Sequence, residues 1–165
     1  RELDLAVGPL AGLAALRRLA AASRAHCAGA GAALVALKAL VQPDHLFVLA
    51  GRPHAVEAFC LASSTWEVLP PMEIGRSNCA AAVACGRIHV VGGWAEGGQL
   101  LTLDEAFDTT LGAWSHMPSM PTRRAMATAT ATGGIMYVTG GLGVDGLQLN
   151  DCEAFDAGAG LWSPM

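Results

Sequence analysis

Charge is scarce in this chain. Of its 165 residues only 15% are Asp, Glu, Lys or Arg, against 53% hydrophobic, and the net charge is −4. Disordered segments carry the opposite balance, so the composition reads as one folded domain. With no basic excess to attract a phosphate backbone, nucleic acid is not an expected partner. Long hydrophobic runs are missing too. The longest uncharged apolar stretch, Ala25 to Leu37, is built largely of Ala and Gly and stops at Lys38. It falls short of the roughly 18 residues a membrane-crossing helix needs, and no membrane is expected. The opening Arg1-Glu2-Leu3-Asp4 has neither the cationic start nor the apolar core of a signal peptide. Cysteine is sparse and odd in number: Cys27, Cys60, Cys79, Cys85 and Cys152 sit at irregular spacings. That is no disulfide framework, and it favours a reducing compartment, the cytoplasm.

What is present is a repeat. Trp66, Trp114 and Trp162 lie 48 and 48 residues apart, and the same offset carries Glu57 onto Glu105 and Glu153, Ala58 onto Ala106 and Ala154, and Phe59 onto Phe107 and Phe155. Upstream stand three short apolar runs closed by small pairs: Leu46 to Gly51, Ile88 to Gly93 and Met136 to Gly141. The first lies six residues closer to its Glu than the others do. Downstream, Met72 and Arg76 map onto Met120 and Arg124 by the same 48.

Each unit predicts a small antiparallel sheet. The apolar run suits a strand buried on both faces, and Gly-Gly ends it where positive φ or close backbone approach is required. Leu103 to Asp108 is the next strand, and a turn at Thr109 to Gly112 or Ala157 to Gly160 leads to the Trp strand. Pro70-Pro71 or Pro118 stops that strand, because proline cannot donate to a ladder. Cys79 to Ala84 and Ala125 to Ala131 supply a fourth, small-residue strand before the next unit begins. A large aromatic at fixed phase in every unit reads as filling between units.

The apolar run, the Gly pair, Glu105-Ala106-Phe107-Asp108 and the Trp seven residues after the aromatic together resemble the kelch repeat, from Leu46 to the end of the chain. The resemblance implies an all-β fold of kelch-type β-propeller blades, about three of them and too few to close a ring. Ala50 stands where the first glycine belongs, Phe replaces the usual Tyr, and Cys60 interrupts the aromatic-Asp pair. Residues 23–165 are taken as the repeats. Arg24-Ala25-His26-Cys27 looks like Arg76-Ser77-Asn78-Cys79, so Ser23 to Leu40 is expected to hold the inner strand of the first blade. Residues 1–22 carry Leu10, Leu13, Leu16 and Leu19 among alanines, and read either as a short helix or as the worn end of a preceding blade. The incomplete ring points to a piece of a longer chain, with closure by self-association as the alternative.

Chemistry is hard to find in these residues. No Gly pair is followed by Lys-Ser or Lys-Thr, so none reads as a phosphate cradle. Cys79, Cys85 and His89 could share a strand face, but a fourth ligand at zinc-like spacing is missing, and no metal or other cofactor is expected. Ser63, Ser64, Ser77 and Ser119 lie in turns without a Gly-x-Ser-x-Gly elbow. Glu57, Glu105 and Glu153 recur in identical phase, which suits a structural role better than catalysis. Some kelch-like propellers are oxidases that use a Tyr-Cys pair, but the single tyrosine, Tyr137, falls inside an expected strand.

The resemblance implies an interaction module for other proteins, without catalysis of its own. In kelch proteins such modules often serve as substrate receptors, paired with a BTB domain that recruits a cullin-type ubiquitin ligase, or act as scaffolds. A propeller enzyme, a sugar isomerase or oxidase completed by further blades, is the alternative. The expected contact residues are Arg76 and Arg124, which match the position from which kelch receptors present arginines, with Ser77, Asn78 and Arg123 beside them. Trp94, which opens a loop out of phase with the other tryptophans, joins this set. The competing reading of the arginines is a salt bridge within their own blade, perhaps to the in-phase Glu.

Overall fold

The computed structural model describes residues 33–34, 45–49 and 56–165, and the expectations for residues 1–22 lie outside them. Three four-stranded antiparallel sheets follow one another along the chain. The first holds β1 (Ala33–Leu34), β2 (His45–Leu49), β3 (Val56–Cys60) and β4 (Thr65–Leu69). Between the first and second sheets lies the short β5 (Arg76–Ser77). The second sheet holds β6 (Ala80–Ala84), β7 (Arg87–Val91), β9 (Asp104–Asp108) and β10 (Ala113–Met117), with the short β8 (Trp94–Ala95) between β7 and β9. The third sheet holds β11 (Thr128–Thr132), β12 (Ile135–Thr139), β13 (Cys152–Asp156) and β14 (Leu161–Pro164). The described residues contain no helix, and therefore none long and apolar enough to cross a membrane.

The expected phase of the unit needs one correction. The small-residue strand does not close the unit before it. β6 pairs with β7, Ala80 opposite Val91, and β11 pairs with β12 in the same way. The chain thus reaches the start of each sheet before the apolar run that follows. β6 also packs against β11 of the next sheet, where its small side chains let the two backbones come close. The second strand also begins one residue later than expected, at Asp104.

Registers place the repeated aromatics opposite each other. Phe59, Phe107 and Phe155 face Trp66, Trp114 and Trp162 across the ladder, with ring centroids 5.1, 5.1 and 5.0 Å apart. The core lies between sheets rather than inside one. Phe47, Leu49, Val56 and Met72 of the first unit pack against Ala81, Ile88, Val90 and Phe107, with Trp114 at the edge. Ala80, Ala82 and Val91 pack in turn against Met136, Val138 and Phe155, with Trp162 at the edge.

The turn before each Trp strand is fixed by its first residue. Asp108 Oδ1 accepts the amides of Thr110 and Leu111 at 2.9 and 3.1 Å, and Asp156 does the same for Gly158 and Ala159 at 2.9 Å each. The turns finish at Gly112 and Gly160 with φ of +64° and +69°. In the first unit Cys60 and Ser64 occupy these positions, and Ser64 is forced to φ +56° without the freedom of glycine.

Candidate functional site

Hairpin connectivity sorts the loops to two ends. One end carries the turns 61–64, 85–86, 109–112, 133–134 and 157–160. The other carries 70–79, 92–103, 118–127 and 140–151, and all six expected contact residues lie there. A small ladder organises it: Arg76 and Ser77 pair with Ala95 and Trp94, and Trp94 bridges to Leu100. The third unit repeats the arrangement with Ala125, Leu142 and Gln148. Trp94 is therefore half-buried in a ladder rather than held out on a free loop.

Arg76 and Arg124 are not surface contacts. They are 3% and 1% exposed, and the guanidinium of each ties its own sheet together. Arg76 Nη1 donates to the Leu103 carbonyl at 2.9 Å, Nε donates to Ile74 at 3.2 Å, and Nη2 pairs with Glu105. Arg124 Nη1 donates to the Gly140 carbonyl at 3.0 Å, and Nη2 reaches Asp151 at 3.1 Å and Glu153 at 3.3 Å. The salt bridge to the in-phase Glu is thus the geometry found, and the expectation of accessible arginines is corrected. The cause is the core. An arginine buried at this depth needs a carboxylate and carbonyl acceptors, and the repeat supplies both. The two copies differ: Asp151 gives Arg124 a second carboxylate where Leu103 stands in the other copy, and Arg124 Nε lacks the carbonyl partner that Arg76 Nε has. The Glu73 amide also donates to Glu105 at 2.9 Å, whereas Pro121, at the matching position, has no N–H to give Glu153.

The remaining expected residues are accessible. Ser77 and Asn78 are half-buried and Arg123 is exposed. Asn78 has φ +52°, a backbone that asparagine tolerates, and its carbonyl accepts the amide of Met126 at 2.8 Å. Met126 holds the same conformation, φ +55°, and is 56% exposed. Val144 and Leu147, on the hairpin tip of the third unit, are 77% and 65% exposed. Sequence reasoning missed these three because each lies in a position without a periodic signal; only the mismatch of Met126 with Asn78 in the repeat could have drawn attention to it.

The trio Cys79, Cys85 and His89 is not assembled. Cys79 is buried between the first two sheets, Cys85 is exposed beyond the other end of β6, and His89 is buried against Asp104. A different group, Glu73, Glu105 and His116, brings ligand atoms within 4.8 Å of one another. Those three could in principle hold a metal, but Glu105 is already committed to the Arg76 cation. His116 Nε2 lies 2.6 Å from Glu73 on the surface. Tyr137 is half-buried in β12, opposite Ala154.

Repeated four-stranded sheets packed face to face, each closed by a Trp strand, with a buried Arg–Glu pair stitching the second and the third, define a protein of the blade-repeat class. The Kelch motif matches residues 75–121 and 123–165, together more than half of the chain, and the chain belongs to the kelch-repeat family. It is also similar to Kelch domain-containing protein 8B of Mus musculus, 46% identical over 43 residues, which are 26% of this chain and 12% of that protein. The similarity thus spans a small part of the curated relative. Kelch repeats generally mediate protein–protein interaction.

Proposed function

We propose that this chain is a partner-recognition region whose contacts are made by the loop end carrying Ser77, Asn78, Trp94 and Arg123. One observation carries the reading. These residues emerge at the same end of the sheets as the exposed Met126, Val144 and Leu147, on loops whose bases are held by Arg76 and Arg124. Recognition surfaces gather on loops that a rigid scaffold positions, and they combine an apolar centre with charged and aromatic anchors. Arg76 and Arg124 enter this proposal as positioning residues behind the surface.

A finer form is that of a substrate receptor, a captured partner being passed to a cullin-type ubiquitin ligase recruited by a BTB domain outside these residues. The resemblance to kelch proteins is its sole support. The cytoplasm is the compartment that suits the four free cysteines among the described residues.

Crosslinking capture from cell lysate tests the surface. Asn78→Ala with Arg123→Glu should leave the unfolding midpoint in place and reduce the captured partners several-fold, while Leu111→Ser at the opposite end should leave them unchanged. Equal capture by all three proteins would defeat the proposal. Co-capture of a cullin with the full-length protein, lost when a BTB region is deleted, would support the finer form.

A further inference from the structure

The seam between the second and third sheets encloses a pair of ionisable groups that the interaction surface does not use. His89 Nδ1 lies 3.3 and 3.1 Å from the two oxygens of Asp104, and the residues are 1% and 0% exposed. The His89 ring packs on Phe155 of the third sheet with centroids 5.5 Å apart. Neither of the other sheets repeats the pair. Through the shared register its positions are Phe47 and Val56 in the first sheet, and Tyr137 and Cys152 in the third.

The surroundings are otherwise apolar or internally neutralised. β6 contributes Ala80, Ala82 and Ala84 to the seam, and the third sheet contributes Met136, Val138 and Phe155. The charges that act on Asp104 besides His89 are Arg76 and Glu105, which pair with each other. Across the seam the charged groups are Arg124, Glu153 and Asp151, again joined together. With its proton in place, the Asp104 carboxyl brings no charge into this seam. Removing that proton leaves a carboxylate buried against the His89 ring.

We propose that the seam between the second and third sheets is proton-linked: Asp104, buried against His89, keeps a proton while the sheets are closed, and the seam loosens as that proton is lost on raising the pH. Burial pushes the Asp104 carboxyl above its usual range, against the opposing pull of the His89 hydrogen bond. The sign follows from that direction. An acid whose value is raised by folding stabilises the fold fully below its unfolded value of about 4, and this contribution is lost as the pH rises through the folded value.

Urea unfolding of the full chain between pH 5 and 9, compared with Asp104→Asn, tests the linkage. Asparagine can keep the contact with His89 but cannot hold the proton. The unfolding constant of the wild type relative to the variant should rise with pH, by up to about tenfold per pH unit where the proton is released. Parallel curves would overturn the proposal. If Asp104→Asn does not fold, His89→Phe with Asp104→Val, which copies Phe47 and Val56, serves the same comparison with the same expected rise. Carbon-13 NMR of the wild type gives an independent reading: an Asp104 carboxyl that titrates with the exposed aspartates would also overturn it. Amide exchange should quicken with pH at Met136 and Phe155 beyond its intrinsic rate, and not at Phe59; uniform behaviour of the three would count against loosening at this seam.

Discussion

Trp114 donates its indole N–H to the carbonyl of Pro70, 44 residues earlier and on the preceding unit, at 2.7 Å. Trp162 makes the same bond to Pro118 at 2.8 Å. Each tryptophan therefore does three things at once: it pairs with the phenylalanine of its own sheet, lies against the apolar layer between sheets, and fastens the proline stop of the unit before. The proline carbonyl is free to accept because the strand has ended there. Truncation and bond removal should separate. Trp114→Ala should cost about 3 kcal/mol as a large aromatic lost from a partly buried site, and Trp114→Phe, which chiefly loses the hydrogen bond, about 1 kcal/mol. Chemical unfolding measures both; equal losses would mean that the Pro70 bond contributes everything.

Arg76→Ala should be among the most damaging substitutions. It would leave Glu105 buried at 1% exposure with its cation gone and the Leu103 carbonyl short of a donor. Breaking one side of a buried pair costs about 3–5 kcal/mol. Arg76→Met with Glu105→Leu removes both charges, so it should be less harmful than the single change. A single substitution that leaves the urea midpoint where it was would show that the pair is solvated in solution.

Much of this architecture was legible before any coordinate. The tryptophan spacing, the Gly pairs and the proline stops are local requirements of backbone and side chain, so they recur in phase and can be counted. The phase of the sheet was legible only in part: the likeness of residues 24–27 to 76–79 pointed to an inner strand ahead of the first apolar run, as β1 is, but a strand of alanines has the same composition whether it hydrogen-bonds backward or forward. The arginines stayed open between a surface contact and a salt bridge to the in-phase Glu for a related reason. Arg76 and Glu105 are 29 residues apart, and only the hydrogen-bonded sheet brings them together. The pairing of His89 with Asp104 escaped notice because the two residues break the repeat instead of following it.

Cys60 offers a test of the turn chemistry. It stands where Asp108 and Asp156 cap their turns, and hydrogen bonds from the Ser63 hydroxyl, then from the Ser63 and Ala62 amides, hold its thiol below the usual range. Among the cysteines it should therefore react with a disulfide reagent at a lower pH than Cys79, whose thiol is pushed up by burial. Cys60→Asp should raise the thermal midpoint by restoring the cap of the other two turns, and Cys60→Ala should lower it. If aspartate and alanine behave alike, the capping account of this turn fails.

Gly92 and Gly93 show what the glycine pair is for. They adopt φ of +64° and +92°, and the Gly93 amide donates to the carbonyl of Arg124 at 2.9 Å, joining the second sheet to the approach of the third. A Cβ added at Gly92 would stand 2.3 Å from that same carbonyl oxygen, where a backbone atom cannot swing aside. Gly97, on the hairpin tip, has φ +89° but nothing within 4 Å of an added Cβ. The two sites separate conformational strain from close approach. Gly97→Ala should cost only the strain of positive φ, about 1 kcal/mol, whereas Gly92→Ala adds the clash and should cost more than about 3 kcal/mol or prevent folding. Unfolding curves of the two variants decide the matter. Similar losses would mean that the third sheet can shift away from Gly92, and that the close approach of Arg124 is not a requirement of the fold.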